Sequence, residues 1–382
     1  MIYLDHNATT PIDPRVAEEF AADLQAGWLN PASQHRAGAA ARQALEEARE
    51  AIGRLAGAVT EGRQPDRVVF TSGGTEANNL ALRGLAGESP SLIAISGLEH
   101  PSIAAPAEEL ERRGWDVARL SADRGGVVRQ DELERALARQ PRLVALMLAN
   151  HETGVVQPIR QVAERCRAAG VALHVDAVQA AGKWPLEFRS LGASTMTISA
   201  HKLGGPIGIG ALLVRHDVSL PPMLFGGFQQ QGWRPGTESV PLARAFARAL
   251  GLWEEERGAR LARMRECRDL LESRLREGLT ELVVQGGEAP ERLPHTSCIA
   301  FLGVDRQALM MALDLADICC STGSACQSGS SQVSPVLRAM GCSASELAGS
   351  LRFSVGPATS PLEIDQAARR IISSVNHLRR RS

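Results

Sequence analysis

Lysine is almost absent from this chain of 382 residues, since only two lysines stand among 42 lysines and arginines. There is no lysine-rich block, and the net charge is −1, so nucleic acids and membrane surfaces are not expected as partners. A lysine kept in such a chain is a candidate for amine chemistry, because an ammonium can lose its proton and form a Schiff base whereas a guanidinium cannot. Lys202 follows an apolar, β-branched run and precedes a glycine-rich turn, whereas Lys183 has no comparable surroundings.

Other absences limit the class of protein. No apolar run approaches the roughly 18 residues of a membrane-spanning helix, and the first residues lack the charged and apolar regions of a secretion signal. Seven widely spaced cysteines do not form the disulfide framework of a small secreted protein. The spacing of Cys319, Cys320 and Cys326 fits no common zinc pattern, so no metal site is predicted. We expect a cytoplasmic protein with reduced thiols.

Short apolar runs alternate with helical intervals through the first part of the chain, which is typical of a mostly parallel sheet covered on both faces. Helices are predicted at residues 39–56 and 158–169, where apolar side chains recur at helical spacing. The fold class is therefore α/β. The predicted strands are residues 67–71, 92–96, 143–148, 171–176, 195–199 and 208–214.

The pattern changes after residue 240. A charged, helix-rich segment, residues 241–275, leads out of the sheet, with Gly251 and Gly258 as predicted points of interruption. Beyond it, strands are predicted at 298–302, 318–320 and 351–355, and helices at 306–315 and 335–340. The predicted organisation is a large α/β domain over residues 13–250 and a smaller α+β domain formed by residues 1–12 and 251–382.

Two candidate binding features follow predicted strands, where ligands of open α/β sheets collect. The glycine-rich turn at residues 72–77 opens a helix, so it is either a phosphate site or simply a turn. It has neither the Gly-Lys-Ser/Thr ending of a P-loop nor the spacing of a dinucleotide fingerprint. Asp176 ends a buried strand and needs a partner, which is either a protonated pyridine nitrogen or a local capping or salt-bridge contact.

His100 and Asn150 also follow predicted strands. His100 is either a structural histidine or an imidazole that stacks on a ring, and Asn150 either stabilises its turn or offers an amide to a phenolic oxygen or carboxylate. Together with Lys202, these residues supply an amine, a carboxylate, a phosphate turn and a stacking ring. That combination is what a pyridoxal phosphate site requires.

Cys326 differs from the other cysteines because it lies in a run of small residues, 321–331. Such a run is typical of an exposed, mobile loop rather than of a packed core. A thiol carried by such a loop can move toward a substrate.

The sequence resembles the cysteine desulfurases of the NifS/IscS kind, which belong to the class V aminotransferase group of pyridoxal phosphate enzymes. The resemblance runs along essentially the whole chain, and its motifs include Ser199-Ala200-His201-Lys202 and Gly323-Ser324-Ala325-Cys326. The other motifs, in order, are residues 3–11, 30–33, 71–76, 99–102, 150–154, 174–179, 234–238 and 351–354.

The resemblance implies a fold-type I pyridoxal phosphate-dependent transferase with a seven-stranded sheet in its large domain. It implies that Lys202 holds the cofactor covalently, that His100 stacks on the ring and carries a proton, and that Asp176 pairs with the ring nitrogen. The implied remaining contacts of the cofactor in the same subunit are Gly74, Thr75, Asn150, Gln179, Ser199 and His201.

The resemblance also implies how substrate and partners are bound. Arg352 would clamp the carboxylate of L-cysteine, with Asn150 nearby, and Cys326 would take the sulfur as a persulfide while L-alanine leaves. Thr237 would contact the phosphate of a neighbouring subunit, which implies a homodimer. A sulfur acceptor such as an iron–sulfur scaffold protein is the further partner implied.

Two alternative functions would use the same cofactor, namely those of a selenocysteine lyase and of an aminotransferase, although an aminotransferase needs no protein thiol. An alternative of another class is a sulfur-relay subunit without turnover. A nicotinamide oxidoreductase is excluded because the glycines at 204–210 precede a strand rather than open a helix. Two segments of the chain differ from those of many relatives. Residues 226–233 of this chain have two glycines followed by Phe228, and the Glu-Pro pair that many relatives have after the cysteine is missing after Cys326.

Overall fold

A computed structural model describes residues 1–323 and 333–380 of the chain. Within these ranges the strands are β1 (Ile2–Tyr3), β2 (Arg67–Thr71), β3 (Leu92–Ser96), β4 (Asp116–Leu120), β5 (Leu143–Met147), β6 (Ala172–Asp176), β7 (Thr195–Ser199), β8 (Gly210–Val214), β9 (Leu282–Gln285), β10 (Thr296–Phe301), β11 (Ile318–Cys319) and β12 (Ser350–Ser354). The α-helices are α1 (Pro14–Gln25), α2 (Arg36–Leu55), α3 (Gly74–Ala86), α4 (Pro101–Arg112), α5 (Gln130–Ala138), α6 (Ile159–Ala168), α7 (Phe188–Leu191), α8 (Val240–Gly278), α9 (Arg306–Leu315), α10 (Pro335–Ala339), α11 (Ala344–Gly349) and α12 (Pro361–Arg379).

The largest sheet has seven strands in the order β2-β8-β7-β6-β5-β3-β4. Strand β8 is antiparallel to β2 and β7, and every other neighbouring pair is parallel. The α/β class and the mostly parallel sheet are confirmed, and each of the six predicted strands lies within two residues of its predicted bounds. The seventh strand, β4, lies at the edge of the sheet, and its exposed Asp116 and Arg119 break the apolar run that reveals a buried strand.

Helices cover both faces of this sheet. On one face α3 and α4 pack together, and Leu82, Ile103 and Ala107 lie in a cluster with β3 and β5. On the other face α2, α6 and α8 contribute to the main core, in which Leu45 and Trp253 are fully buried. Helices on both faces shield the parallel strands from water, so the chemistry of the sheet is confined to its ends.

Helix α8 is continuous over 39 residues and passes through Gly251 and Gly258. The predicted interruptions at these glycines are wrong. A glycine inside a helix costs about 1 kcal/mol relative to alanine, and the buried Trp253 and Met264 on the same helix hold it in place by packing. The proposed domain boundary at residue 250 therefore lies inside a helix.

The C-terminal part of the chain forms two small sheets, β12-β10-β9 and β1-β11. The first residues of the chain belong to this part, because Ile2 is paired with Ile318 and the amide of Ser354 donates to the carbonyl of Leu4. This pairing brings the N-terminal segment to the carboxyl edge of the large sheet. In the described part of the chain, no helix is both long and apolar enough to cross a membrane.

Candidate active site

A cavity of about 280 Å³ lies at the carboxyl ends of β3, β5, β6 and β7. Nine of the predicted site residues line it, namely Gly74, Thr75, His100, Asp176, Gln179, Ser199, His201, Lys202 and Arg352. A larger groove of about 850 Å³ between α2 and residues 228–233 contains none of these nine. The smaller cavity is the candidate site because it brings together the amine, the carboxylate and the imidazoles.

Lys202 enters the cavity from a 3₁₀ turn, Ala200–Lys202, which directly follows β7. Its Nζ donates to the carbonyl oxygens of Asn7 at 2.6 Å and Ala8 at 2.8 Å. The N-terminal segment therefore lies over the lysine. Sequence analysis assigned no role to Asn7, although this residue lies in the first of the matched motifs.

Asp176, the last residue of β6, is held by two neutral donors. Asn78 donates from Nδ2 to Oδ2 at 2.7 Å, and the amide of Val178 donates to Oδ1 at 3.0 Å. Within the described residues no cation makes an ion pair with this buried carboxylate. Its negative charge is therefore available to a cationic group in the cavity.

His100 caps helix α4, and its Nδ1 accepts a hydrogen bond from the amide of Ser102 at 3.1 Å. The neutral ring therefore carries its hydrogen on Nε2. Burial lowers the pKa of His100 below its ordinary value, although the charge of Asp176 opposes this effect. His151 packs edge-to-face on His100 with ring centroids 5.3 Å apart, and burial keeps its pKa well below the usual range.

The opposite end of the cavity has the features of an anion site. Gly74 and Thr75 begin helix α3. The first amides of any helix have no acceptor within the helix, and in α3 no side chain caps them. A Cβ on Gly74 would lie 2.9 Å from Cγ2 of Val178, so glycine permits this close approach. The Ser199 hydroxyl is buried and has no hydrogen-bond partner within the described residues.

His201 lies 3.2 Å from the hydroxyl of Thr9. Burial first, and then the charge of Lys202, lowers the pKa of His201 to about 4.

Arg352 extends from β12 into the cavity and is almost fully buried. Its Nη1 donates to the carbonyls of His151 at 3.0 Å and Gly323 at 2.7 Å, and its Nη2 donates to Asp5 at 2.8 Å. The buried Nε has no partner within the described residues. The guanidinium is thus fixed in place and keeps a donor for a carboxylate.

Gln179 and Asn150 occupy different positions. Gln179 lines the cavity and donates to the carbonyl of Asn7 at 3.0 Å, while its Oε1 has no partner in the described chain. Asn150 lies behind the cavity wall. Its Oδ1 accepts from the amides of Glu152 and Thr153, both at 2.9 Å, so it stabilises this turn, and its predicted contact with cofactor and substrate stays a prediction.

Glu152 is a further residue that sequence reasoning did not assign. It is fully buried, and Ser334 donates to its Oε2 at 2.6 Å. A Cβ on Gly323 would lie 2.6 Å from the same oxygen. Burial raises the pKa of Glu152 to about 6. This carboxyl contacts residues on both sides of the segment 324–332, and the predicted nucleophile Cys326 lies in that segment, outside the described residues.

Thr237 is exposed and lies outside the cavity. The segment before it is fixed to the sheet by Gln230, whose Oε1 accepts from the amide of Phe70 at 2.6 Å and whose Nε2 donates to the carbonyl of Phe70 at 2.9 Å. Arg234 on the same segment pairs with Glu76 in the first turn of α3 at 2.8 Å. The ion pair between Arg234 and Glu76 therefore connects the segment that carries Thr237 to the glycine-rich turn.

Comparisons with known proteins identify the family of the chain. The family model described as aminotransferase class-V matches residues 2–367. The chain is 39% identical over 381 residues to a cysteine desulfurase of Trichormus azollae, covering 99% of this chain and 94% of the relative. It is also 39% identical over 388 residues to the cysteine desulfurase IscS of Pectobacterium carotovorum, covering 99% and 93%. The solved structure of a NifS-like protein from Rickettsia africae has a TM-score of 0.89 at 32% identity, covering 98% of this chain and 99% of that one.

Proposed function

Since the chain belongs to the class V aminotransferase family, we propose that it is a pyridoxal phosphate-dependent cysteine desulfurase that transfers the sulfur of L-cysteine to Cys326. The observation that carries the proposal is that one cavity brings together Lys202, Asp176, His100 and Arg352. These four residues provide an amine, an anion, a proton carrier and a carboxylate donor for an amino-acid substrate.

The residues present fit the cofactor. The buried Asp176, which has no cationic partner within the described chain, suits a protonated ring nitrogen. The partnerless Ser199 hydroxyl and the uncapped amides of Gly74 and Thr75 suit a phosphate. We infer that Lys202 would hold the cofactor covalently and that His100, His201 and Gln179 would contribute the remaining side chains around it. When bound, pyridoxal phosphate accepts electrons from the Cα of the substrate and so makes its Cβ–S bond labile.

Each residue then has a defined task. Arg352 orients the carboxylate of L-cysteine through its Nε, which has no hydrogen-bond partner within the described residues. The Nζ of Lys202 takes the Cα proton and returns it. His100, whose pKa is lowered by burial, accepts and donates a proton at the sulfur end. The turn held by Asn150 supports His151, which packs on His100.

The sulfur step is balanced without an external oxidant. The thiolate of Cys326 attacks the sulfur of L-cysteine, a sulfur–sulfur bond forms, and the Cβ–S bond breaks. The proton that Cys326 loses is matched by the proton that Cβ gains, so the products are L-alanine and a Cys326 persulfide. Because a free thiol is only a few per cent ionised near pH 7, a local base is needed, and His100 is the candidate.

A homodimer is part of the proposal. Thr237 is exposed and is not among the residues that line the cavity of its own subunit, which suits a contact across an interface. Nearby, Phe225 and Phe228 are 90% and 83% exposed, and such large apolar side chains favour a covered surface. The persulfide is delivered to a sulfur-acceptor protein, for which an iron–sulfur scaffold is the proposed example.

The experiment is to incubate the purified protein with pyridoxal phosphate, L-cysteine and dithiothreitol, and to measure L-alanine and sulfide. We expect equal amounts of the two products, and neither from Lys202→Ala. Absence of L-alanine from the wild-type protein with bound cofactor would contradict the proposal.

A further inference from the structure

Lys183, the other lysine of the chain, is buried below the turn that carries Lys202. Lys183 is only 2% exposed, and its Nζ donates to the carbonyl oxygen of Lys202 at 2.6 Å. It lies in a tight turn after β6, where Gly182 has φ of +75° and where an added Cβ would come within 2.7 Å of the Trp253 ring. The packing of this turn on helix α8 therefore holds Lys183 under the active-site turn.

The main chain that carries Lys202 is fixed by donors from outside its own turn. The carbonyl of Lys202 accepts from Lys183 and from the hydroxyl of Thr10 at 3.1 Å. Next along the chain, the carbonyl of Leu203 accepts from Nε1 of Trp253 at 2.6 Å. On the other side, the carbonyl of His201 accepts from the amide of Thr10 at 3.0 Å. Lys183 is the longest and most flexible of these donors, and it acts on the residue that bears the reactive amine.

The electrostatic surroundings explain how a lysine is tolerated there. Among the described residues, the titratable groups that interact with Lys183 are Lys202, His6, His201 and His295, and none of these four is acidic. Within the described chain no carboxylate forms an ion pair with it. Burial first, and then the charge of Lys202, lowers the pKa of Lys183 to about 7. A neutral amine still donates an N–H, so the hydrogen bond persists without an unpaired buried charge.

We propose that Lys183 is a positioning residue, which fixes the main chain of Lys202 and so sets where the Lys202 amine meets the cofactor. The inference rests on the proposed function, because it assigns Lys183 a part in the attachment of pyridoxal phosphate. It adds a residue that does not line the cavity and acts through a backbone carbonyl.

The first test measures attachment rather than turnover. Wild-type protein, Lys183→Met and the control Leu313→Ala, a core truncation in α9, are incubated with increasing pyridoxal phosphate, reduced with borohydride, and digested. Mass spectrometry then gives the fraction of Lys202 that carries the reduced cofactor. We expect Lys183→Met to need about tenfold more cofactor for half-maximal labelling, as for loss of one intramolecular hydrogen bond. The control should label like the wild type.

A spectroscopic readout separates positioning from a general loss of stability. In Lys183→Met the pH midpoint of the visible absorbance of the bound cofactor should move, whereas in Leu313→Ala it should not. Equal labelling curves and equal midpoints in Lys183→Met and wild type would overturn the inference. Absence of labelling at Lys202 in the wild type would instead overturn the proposed function.

The scarcity of lysine gives a second test, which also serves if Lys183→Met does not fold. Protein labelled with ¹³C at lysine Cε has signals from two residues only. The Lys183 signal is identified as the one that persists in Lys202→Ala. We expect it to titrate near neutral pH and to shift when pyridoxal phosphate is added to the wild type. A Lys183 signal that does not respond to the cofactor would overturn the inference.

Discussion

Asn78 donates a hydrogen bond from its Nδ2 to Oδ2 of Asp176 at 2.7 Å. The same amide group donates to the hydroxyl of Ser102 at 2.8 Å, and its Oδ1 lies 3.1 Å from Nε2 of His174. Burial lowers the pKa of His174 to about 3, so this imidazole is neutral. The carboxylate is thus oriented by a neutral network and keeps its negative charge for the cavity.

Replacement of Asp176 by asparagine should therefore remove the negative charge and leave the size and shape of the side chain almost unchanged. We expect kcat/KM for L-cysteine to fall about a hundredfold, as for loss of one preorganised electrostatic partner, and the cofactor to bind more weakly. Absorbance titration with pyridoxal phosphate and the alanine assay measure the two effects. Asn78→Ala, which leaves the carboxylate in place but misoriented, should show a smaller loss of the same kind. An Asp176→Asn variant with wild-type affinity and rate would contradict this role.

Asn78 also illustrates what the sequence could and could not predict. It lies four residues after Gly74 on α3, so helical geometry places it on the face that carries the glycine-rich turn. That signal was available. Asn7 had no such signal, because its place over Lys202 depends on the pairing of β1 with β11, more than 300 residues away along the chain. The strand ends were predictable from apolar runs, whereas contacts made across the two parts of the fold were not.

Arg352 should recognise the carboxylate of the substrate. Arg352→Lys keeps a positive charge but loses the planar fork, so we expect kcat/KM for L-cysteine to fall about a hundredfold. Cysteamine, which lacks the carboxylate, provides the control. The wild type should prefer L-cysteine strongly, and the variant should lose most of this preference. If the variant kept the full preference, another group would have to bind the carboxylate.

Glu99 should give the free energy of unfolding a measurable pH dependence. Burial, with a smaller effect from Asp176, raises its pKa from 4.5 to about 8 in the folded protein. Between these values the folded state holds a proton that the unfolded state has lost, so this group makes stability fall as the pH rises from about 4.5 to about 8. The slope is at most about 1.4 kcal/mol per pH unit.

Glu99→Gln tests this directly, because glutamine retains the acceptor for the amide of Met147, which donates to Oε1 at 2.9 Å. Denaturant unfolding of the cofactor-free proteins at pH 5.5 and pH 8 should show that the variant gains stability relative to the wild type at the higher pH. The opposite sign, or equal pH dependence in both proteins, would show that Glu99 is ionised in the folded state.

Thr237 should act in the neighbouring subunit. Thr237→Glu places a negative charge where a phosphate is expected, so it should be nearly inactive, as should Lys202→Ala. When the two variants are mixed under conditions of subunit exchange, one site of each mixed dimer contains an intact Lys202 and an intact Thr237. Activity should therefore return. Mixing Lys202→Ala with a variant that carries both substitutions is the control, and recovery confined to that control or absent from both mixtures would rule out the shared site.

The central claim is that Cys326 receives the sulfur of L-cysteine. Its most direct measurement is intact and peptide mass spectrometry of the cofactor-loaded protein after exposure to L-cysteine without reductant, with L-alanine measured in the same sample. The account predicts one extra sulfur on the peptide that contains Cys326, L-alanine in matching amount, and loss of both in Cys326→Ala, which should still bind the cofactor. L-Alanine formation at the wild-type rate by Cys326→Ala with reductant present, or an extra sulfur on another cysteine alone, would contradict it.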